Sequence, residues 1–289
     1  MFTKRILLAI AVMALVTMAC GININLPMER INTGPVQTEE INIPATDTSG
    51  PVNLTIDFGA GELDINPGAQ DVLVEGTAEY NVPELKPEIT VEGNTVLLKT
   101  GEMKKIKLLP VFGDKYKNSW DLSLGESLLD LTINAGAYQG NIELGGLSIG
   151  SLTVADGASQ AEWSFSQPNL VEMNTLRYGT GASSVSLDGL ANSRASEIIF
   201  KGGAGDYTLD FSGQLQNDMD VSIDAGISNV KIVVPQGVSA SLNIDGGLSN
   251  VEVNGNWEKS GNVYEMAGDG PRITFDVTMG AGNLELRNR

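Results

Sequence analysis

The 289-residue chain contains no histidine and only one cysteine. The first absence excludes catalytic triads of the Ser-His type and histidine-ligated metal sites. The second excludes an intrachain disulfide framework, so burial and hydrogen bonding alone must hold the fold. Basic side chains are scarce, 18 Lys and Arg against 36 Asp and Glu, for a formal net charge of −18. This disfavours a nucleic-acid partner, because binding to a polyphosphate backbone draws its affinity from clustered Lys and Arg. The acidic surplus instead keeps an exposed, strand-rich protein soluble and discourages edge-to-edge pairing. Aromatic residues make up 6% of the chain, and beyond the N-terminus no segment carries convincing helical periodicity.

What is present begins with a processing signal. Lys4 and Arg5 precede the apolar run Ile6 to Met18, which ends at Ala19 and Cys20. A basic flank, a short apolar stretch and a small residue before the break describe a secretory signal, since a spanning helix needs about 20 apolar residues. Val16-Thr17-Met18-Ala19-Cys20 resembles a bacterial lipobox, with Thr17 where leucine is usual. Cys20 is therefore expected to be lipidated, which makes the chain an extracytoplasmic lipoprotein held to the membrane by a lipid anchor. Ordinary cleavage, leaving a free thiol, is the alternative. Residues 21–50 carry Pro27, Pro35 and Pro44 and polar stretches such as Gln37-Thr38-Glu39-Glu40. They are read as a flexible tether.

From Val52 onward apolar residues alternate with polar ones, and a short phrase recurs: small residues around a glycine, a turn residue, then an alternating strand. Examples are Gly59-Ala60-Gly61-Glu62-Leu63-Asp64-Ile65, Gly203-Ala204-Gly205-Asp206-Tyr207 and Gly280-Ala281-Gly282-Asn283-Leu284. The anchors Gly136, Gly157, Gly181, Gly205, Gly226 and Gly247 lie 21, 24, 24, 21 and 21 residues apart, with related copies at Gly61 and Gly282. A fixed period of this length is the signature of stacked repeats that bury their apolar faces only against their neighbours. The expected fold is all-β, a solenoid of short strands with about 21–24 residues per repeat and two strands in each period. Residues 51–125 form an N-terminal β region and residues 126–289 the repeats. The long last interval, from Gly247 to Gly282, is read as an inserted hairpin capping the C-terminal end.

Glycine suits a confined corner because it takes positive φ without steric cost and lets successive corners stack closely. Asn141, Asn229, Asn250 and Asn283, with Asp206 and Ser184, are read as the residue just before the recurring strand. There asparagine tolerates turn geometry, and aligned copies would form a ladder of amide side chains. These glycines and asparagines are structural turn residues, and no catalytic, cofactor-binding or metal-ligating residue is assigned.

Two other polar series invite a functional reading. Lys104, Lys105, Lys107, Lys115 and Lys117 cluster in an acidic chain, which suits contact with anionic wall polymer or lipid headgroups, or else a solvated loop or an edge strand protected by lysine. Asp218, Asp220 and Asp224 share one parity, and Asp245 lies one period beyond Asp224, so carboxylates could approach across turns and hold a hard cation weakly. A calcium-binding nonapeptide motif fails at Gly202-Gly203-Ala204-Gly205-Asp206, where the aspartate arrives one position early.

The ordered series Asn118-Ser119-Trp120-Asp121-Leu122-Ser123-Leu124, Leu131-Thr132-Ile133-Asn134-Ala135-Gly136-Ala137, Leu144-Gly145-Gly146-Leu147 and Leu152-Thr153-Val154-Ala155-Asp156-Gly157-Ala158 resembles the bacterial β-strand-repeat family of candidate adhesins, including its toast-rack members. The resemblance covers roughly Asn53 to Leu286. It implies a right-handed single-stranded β-solenoid, or a closely related stacked sheet, in the cell envelope, with some relatives linked to sensing of cell-wall stress. It brings no catalytic residues. The copy at Gly157 departs from the pattern, with Ser159-Gln160-Ala161-Glu162-Trp163 in place of a glycine-turn-strand phrase.

Together these features predict a non-enzymatic surface lipoprotein acting as an adhesive or scaffold module, without cofactor or small-molecule substrate. Its partners are the membrane, through the anchor, and an envelope polymer or surface protein. The alternative is a carbohydrate-active enzyme that uses paired carboxylates.

Overall fold

The computed structural model describes residues 33–46, 50–101, 116–247 and 250–289. The period-two pattern becomes one open sheet of sixteen strands. They are β1 (Gln37–Pro44), β2 (Val52–Pro67), β3 (Val72–Tyr80), β4 (Pro87–Glu92), β5 (Thr95–Thr100), β6 (Asn118–Leu124), β7 (Leu128–Glu143) and β8 (Ser148–Ser164). There follow β9 (Met173–Asp188), β10 (Ala195–Asp210), β11 (Met219–Val234), β12 (Ser239–Gly246), β13 (Asn250–Asn254), β14 (Glu258–Ser260), β15 (Val263–Met266) and β16 (Arg272–Asn288). Among the described residues the helical turns are two short 3-10 segments, Pro83–Leu85 and Leu190–Ser193.

The repeats form a parallel ladder in the order β2, β7, β8, β9, β10, β11, β16. Each rung is one strand of 16 or 17 residues that runs through the glycine phrase without a break. Two short strands per period were expected. One long strand forms instead, because backbone pairing with both neighbours continues on each side of the glycine.

Alternation sets which side chains are buried. In the first rung Val52, Leu54, Ile56, Phe58, Leu63 and Ile65 are all buried, and in β11 Met219, Val221, Ile223, Val230 and Ile232 are. Each fully buried side chain of this size contributes about 1.5–3 kcal/mol. Aromatic rings link successive rungs. Trp163 meets Tyr178 edge-on at 5.5 Å and Tyr178 stacks on Phe200 at 5.7 Å, while within β10 Phe200 meets Tyr207 edge-on at 5.0 Å.

Three sequence expectations are corrected. Part of the tether assigned to residues 21–50 is strand β1, paired antiparallel with β3 from Gln37–Tyr80 to Pro44–Val72. Ile41 and Ile43 are buried in this pairing, which is why the strand docks. The ladder begins before residue 126, because β2 pairs in parallel with β7 from Val52–Leu129 to Ile65–Ile142. Finally, order in space departs from order in sequence at the C-terminal end. β16 lies between β11 on one side and β12 with β13 on the other. The residues between Gly247 and Gly282 do contain a hairpin, β14 with β15, and β15 also pairs antiparallel with β12.

Candidate functional site

The corner glycines fall into two rows. Gly136, Gly157, Gly181, Gly226 and Gly247 stack in one row together with Gly59, Gly203 and Gly280. In it a Cβ on Gly181 would come within 2.4 Å of the Gly157 carbonyl oxygen, and a Cβ on Gly226 within 2.3 Å of that of Gly203. No side chain fits between such rungs. Gly61, Gly205 and Gly282 stand two residues further on, in register with Tyr138, Ser183 and Ser228. Gly282 has φ +128°, and an added Cβ would meet the Ser228 carbonyl oxygen at 1.8 Å, so both backbone and space require glycine.

Beyond the corner, two outward rows cross the rungs. The first is Gln139, Gln160, Ser184, Asp206, Asn229, Asn283 and Asn250, in register from β7 to β13. Asn283 Nδ2 donates to Asn229 Oδ1 at 2.8 Å, and Asn229 Nδ2 donates to Asp206 Oδ1 at 2.7 Å, so these three form a polarised chain that ends on a carboxylate. Asn141 is not in this row. Gly140 occupies the inward position of its rung, where Ala161 and Val185 stand in the next two, and this shifts Asn141 to the second row. There it donates two hydrogen bonds to Asp64 Oδ1, from its backbone N–H and from Nδ2, each 3.0 Å.

The second row continues through Glu162, Ser186, Thr208, Lys231, Glu285 and Glu252. Ser186, Thr208, Lys231 and Glu285 are half-buried, whereas the first row is exposed. Between the rows lie two hollows, of about 340 and 460 Å³, and both are lined by Asp206 and Thr208. They adjoin, forming one polar furrow across the rungs. Glu285 and Glu252 are in direct register at one end of it.

Beneath the corner is a polar cluster that sequence reasoning did not single out. The position before each stacked glycine points inward and is Phe58, Ala135, Ala225 and Met279 in four rungs, but Asp156 and Thr180 in two others. Asp156 Oδ2 accepts hydrogen bonds from the Tyr178 hydroxyl at 2.8 Å, Ser159 Oγ at 3.1 Å and the Tyr138 hydroxyl at 3.5 Å. Its Oδ1 accepts from Thr180 Oγ1 and, at 3.5 Å, from Ser183 Oγ. Trp163 Nε1 donates to the Tyr138 hydroxyl at 3.3 Å. The Tyr207 ring lies against Gly202, in the same row as Thr180, and among the described residues its buried hydroxyl has no hydrogen-bond partner.

Burial raises the pKa of the Tyr138, Tyr178 and Tyr207 phenols, and the Asp156 charge adds to the rise. These phenols therefore remain donors at neutral pH. The cluster pins three rungs, β7, β8 and β9, together through one carboxylate. The signal for it was a charged residue at a position whose parity is inward.

The remaining expectations are placed as follows. Cys20 and the lysines at 104, 105, 107 and 115 lie outside the described residues. Lys117 is described, and it bridges Glu62 at 3.0 Å and Glu79 at 3.6 Å. The approach of Asp224 to Asp245 is corrected. Thr278 of β16 stands between them, which puts them two rungs, roughly 9–10 Å, apart. Asp224 instead faces Lys201 at 3.9 Å. Among the described residues no group of three acidic or cysteine side chains could hold a metal ion, and no helix is long and apolar enough to cross a membrane.

A parallel ladder of long strands with glycine corners and a polar outer face defines an all-β strand-repeat protein. The chain belongs to the family described as the N-terminal domain of toast_rack (DUF2154), whose model matches residues 32–174 and 159–233. No curated protein matches it. Among solved structures it is similar to a candidate cell adhesion protein from Clostridium sporogenes ATCC 15579, with 20% identity over 88% of this chain and 100% of that one and a TM-score of 0.47. It is also similar to a candidate adhesin from Bacteroides fragilis NCTC 9343, with 12% identity over 88% and 97% of the two chains and a TM-score of 0.35. A candidate lipid binding protein from Parabacteroides distasonis ATCC 8503 shares 12% identity over 89% of this chain and 99% of its own, with a TM-score of 0.40.

Proposed function

We propose that this protein is a non-enzymatic lipoprotein of the bacterial envelope whose repetitive outer face serves as an adhesive or scaffold surface. The observation that carries the proposal is the polar furrow across the rungs, framed by Asp206, Thr208 and the amide chain from Asn283 to Asp206. A face of this kind offers extended contact area rather than an enclosed cleft, which suits polymeric or protein partners. Lipidation at Cys20 would anchor it outside the cytoplasm, and the residues between Cys20 and β1 would hold the sheet off the membrane surface. We read the ladder as a right-handed single-stranded solenoid, with the β14–β15 hairpin shielding its C-terminal end. Coupling to envelope stress sensing belongs to the same reading, with the surface reporting whether its partner is present.

The other reading, a carbohydrate-active enzyme, has its best carboxylate pair in Glu252 and Glu285. Glu252 is exposed and Glu285 only half-buried, so neither sits in the desolvated setting that prepares a general acid. The proposal is tested by exposing the immobilised protein to purified cell walls, peptidoglycan and intact cells. Specific, saturable retention is expected, and uniform failure to retain any of them would remove the binding role.

A further inference from the structure

We infer that the furrow takes an extended, uncharged polysaccharide laid across the strands, with successive sugar rings meeting successive rungs. The inference rests on the surface-binding reading above and names its ligand class. Neighbouring rungs are about 4.8 Å apart, and alternate residues along a strand about 6.6 Å apart, so the two rows present a regular grid of polar groups. An extended β-linked pyranose chain advances by a similar step per ring. The two hollows, about 340 and 460 Å³, fall within the roughly 300–1,000 Å³ of small-molecule sites, and they join at Asp206 and Thr208 into a track.

Sugar hydroxyls both donate and accept, and the track offers amides, hydroxyls, carboxylates and one ammonium. Among the described residues, the side chains of Gln139, Gln160, Thr208 and Lys231 have no intramolecular hydrogen-bond partner or ion pair. Thr208 and Lys231 are half-buried on adjacent strands at the centre of the track.

Other occupants fit the track less well. Glu162, Asp206 and Glu285 outnumber Lys231, so an anionic polymer or nucleic acid is repelled. A peptide adding as a strand needs an open edge, and the backbone under the track is paired on both sides. The exposed apolar side chain at the corner, Ile227, stands beyond the track and makes no apolar groove. Contacts of this kind are individually weak, so affinity grows with the number of rungs covered.

The test is affinity electrophoresis of the full chain through gels containing a neutral β-linked glucan, an N-acetylglucosamine polymer or a uronate polymer, with short oligosaccharides as competitors. Retardation is expected in the neutral gels and absent in the uronate gel, and long oligosaccharides should compete better than disaccharides. The combined variant Gln160→Ala, Thr208→Ala, Lys231→Ala should lose about tenfold or more in affinity, equivalent to roughly 1.4 kcal/mol. Thr153→Ala with Ser222→Ala, on the other outward stretch of the rungs, should bind as the parent does, with melting curves confirming that both variants fold.

Retardation only by the uronate polymer, equal loss in both variants, or no retardation in any gel would overturn the inference. If the protein still binds cell walls in that last case, the surface-binding reading stands and only the ligand class falls. If wall binding is also absent, both fall.

Discussion

Asn283 donates its side-chain amide to Asn229 across 2.8 Å although 54 residues separate them in the chain. This bond marks the seam where the last strand enters the ladder beside β11, and it leads on to Asp206 through the Asn229 amide. Truncating either asparagine should cost about 0.5–1.5 kcal/mol. Because the two share one bond, the double variant Asn229→Ala, Asn283→Ala should cost less than the sum of the singles. Urea denaturation of the three variants measures this directly, and strict additivity would show that the chain of amides contributes nothing as a unit.

The stacked glycine row makes a sharper prediction. Gly181→Ala places a methyl where only 2.4 Å separates it from the Gly157 carbonyl oxygen, so the rungs must part. Gly282→Ala adds a strained backbone, because its φ of +128° is one that alanine rarely adopts. Each should destabilise by about 2 kcal/mol or more, Gly282→Ala by the larger amount. Gly93, which has open space around it on the β4–β5 turn, is the comparison site for alanine. Its cost is expected to come from φ alone.

Asp156 is expected to matter for stability although it lies at the corner of the ladder. Asp156→Ala leaves the buried Tyr178 hydroxyl without its acceptor, whereas the Thr180 hydroxyl keeps Ser183 Oγ as a partner. A loss of roughly 1–3 kcal/mol is expected. Asp156→Asn keeps the shape but offers only one acceptor oxygen, so its loss should be intermediate. A thermal melt that leaves Asp156→Ala unchanged would show the cluster to be dispensable.

Alkaline stability follows from the tyrosines. Burial raises Tyr116 from 10.0 to about 12, and raises Tyr138, Tyr178 and Tyr207 as well. The folded state therefore favours the neutral phenol. The stabilisation is complete below pH 10, the unfolded value, and is lost as pH rises through the folded values. Phenolate absorbance and circular dichroism followed together above pH 10 should show these tyrosines ionising late and in step with unfolding. Early, independent ionisation of all six tyrosines would contradict their burial.

Much of this architecture could be read from the chain because period-two alternation is a direct consequence of strand geometry. The inward residues Leu63, Ile65, Val230 and Ile232 were visible by parity, and the recurring glycines by spacing. Other features were not legible, for reasons that can be named. Gly59 and Gly61 each look like the corner residue, and only the neighbouring rungs show that they belong to two different rows. Asn141 resembles Asn229 locally, yet the inward placement of Gly140 shifts its register by two. The insertion of β16 ahead of β12 is set by long-range pairing, from Ser239–Arg272 to Gly246–Met279, which no local pattern announces. Asp156 was legible in principle, since an acid at an inward position departs from the pattern of its own repeat.

The threading of β16 has a consequence for how the chain must be made. Strands β12 and β13 are synthesised before the 17-residue strand that pairs with both of them. Until that strand arrives, the outer edge of β11 remains unpaired and β12 has only the β14–β15 hairpin to pair with. Assembly of this end therefore waits for the final segment to be released, and the nascent chain depends on holding that unpaired edge apart from other molecules in the meantime.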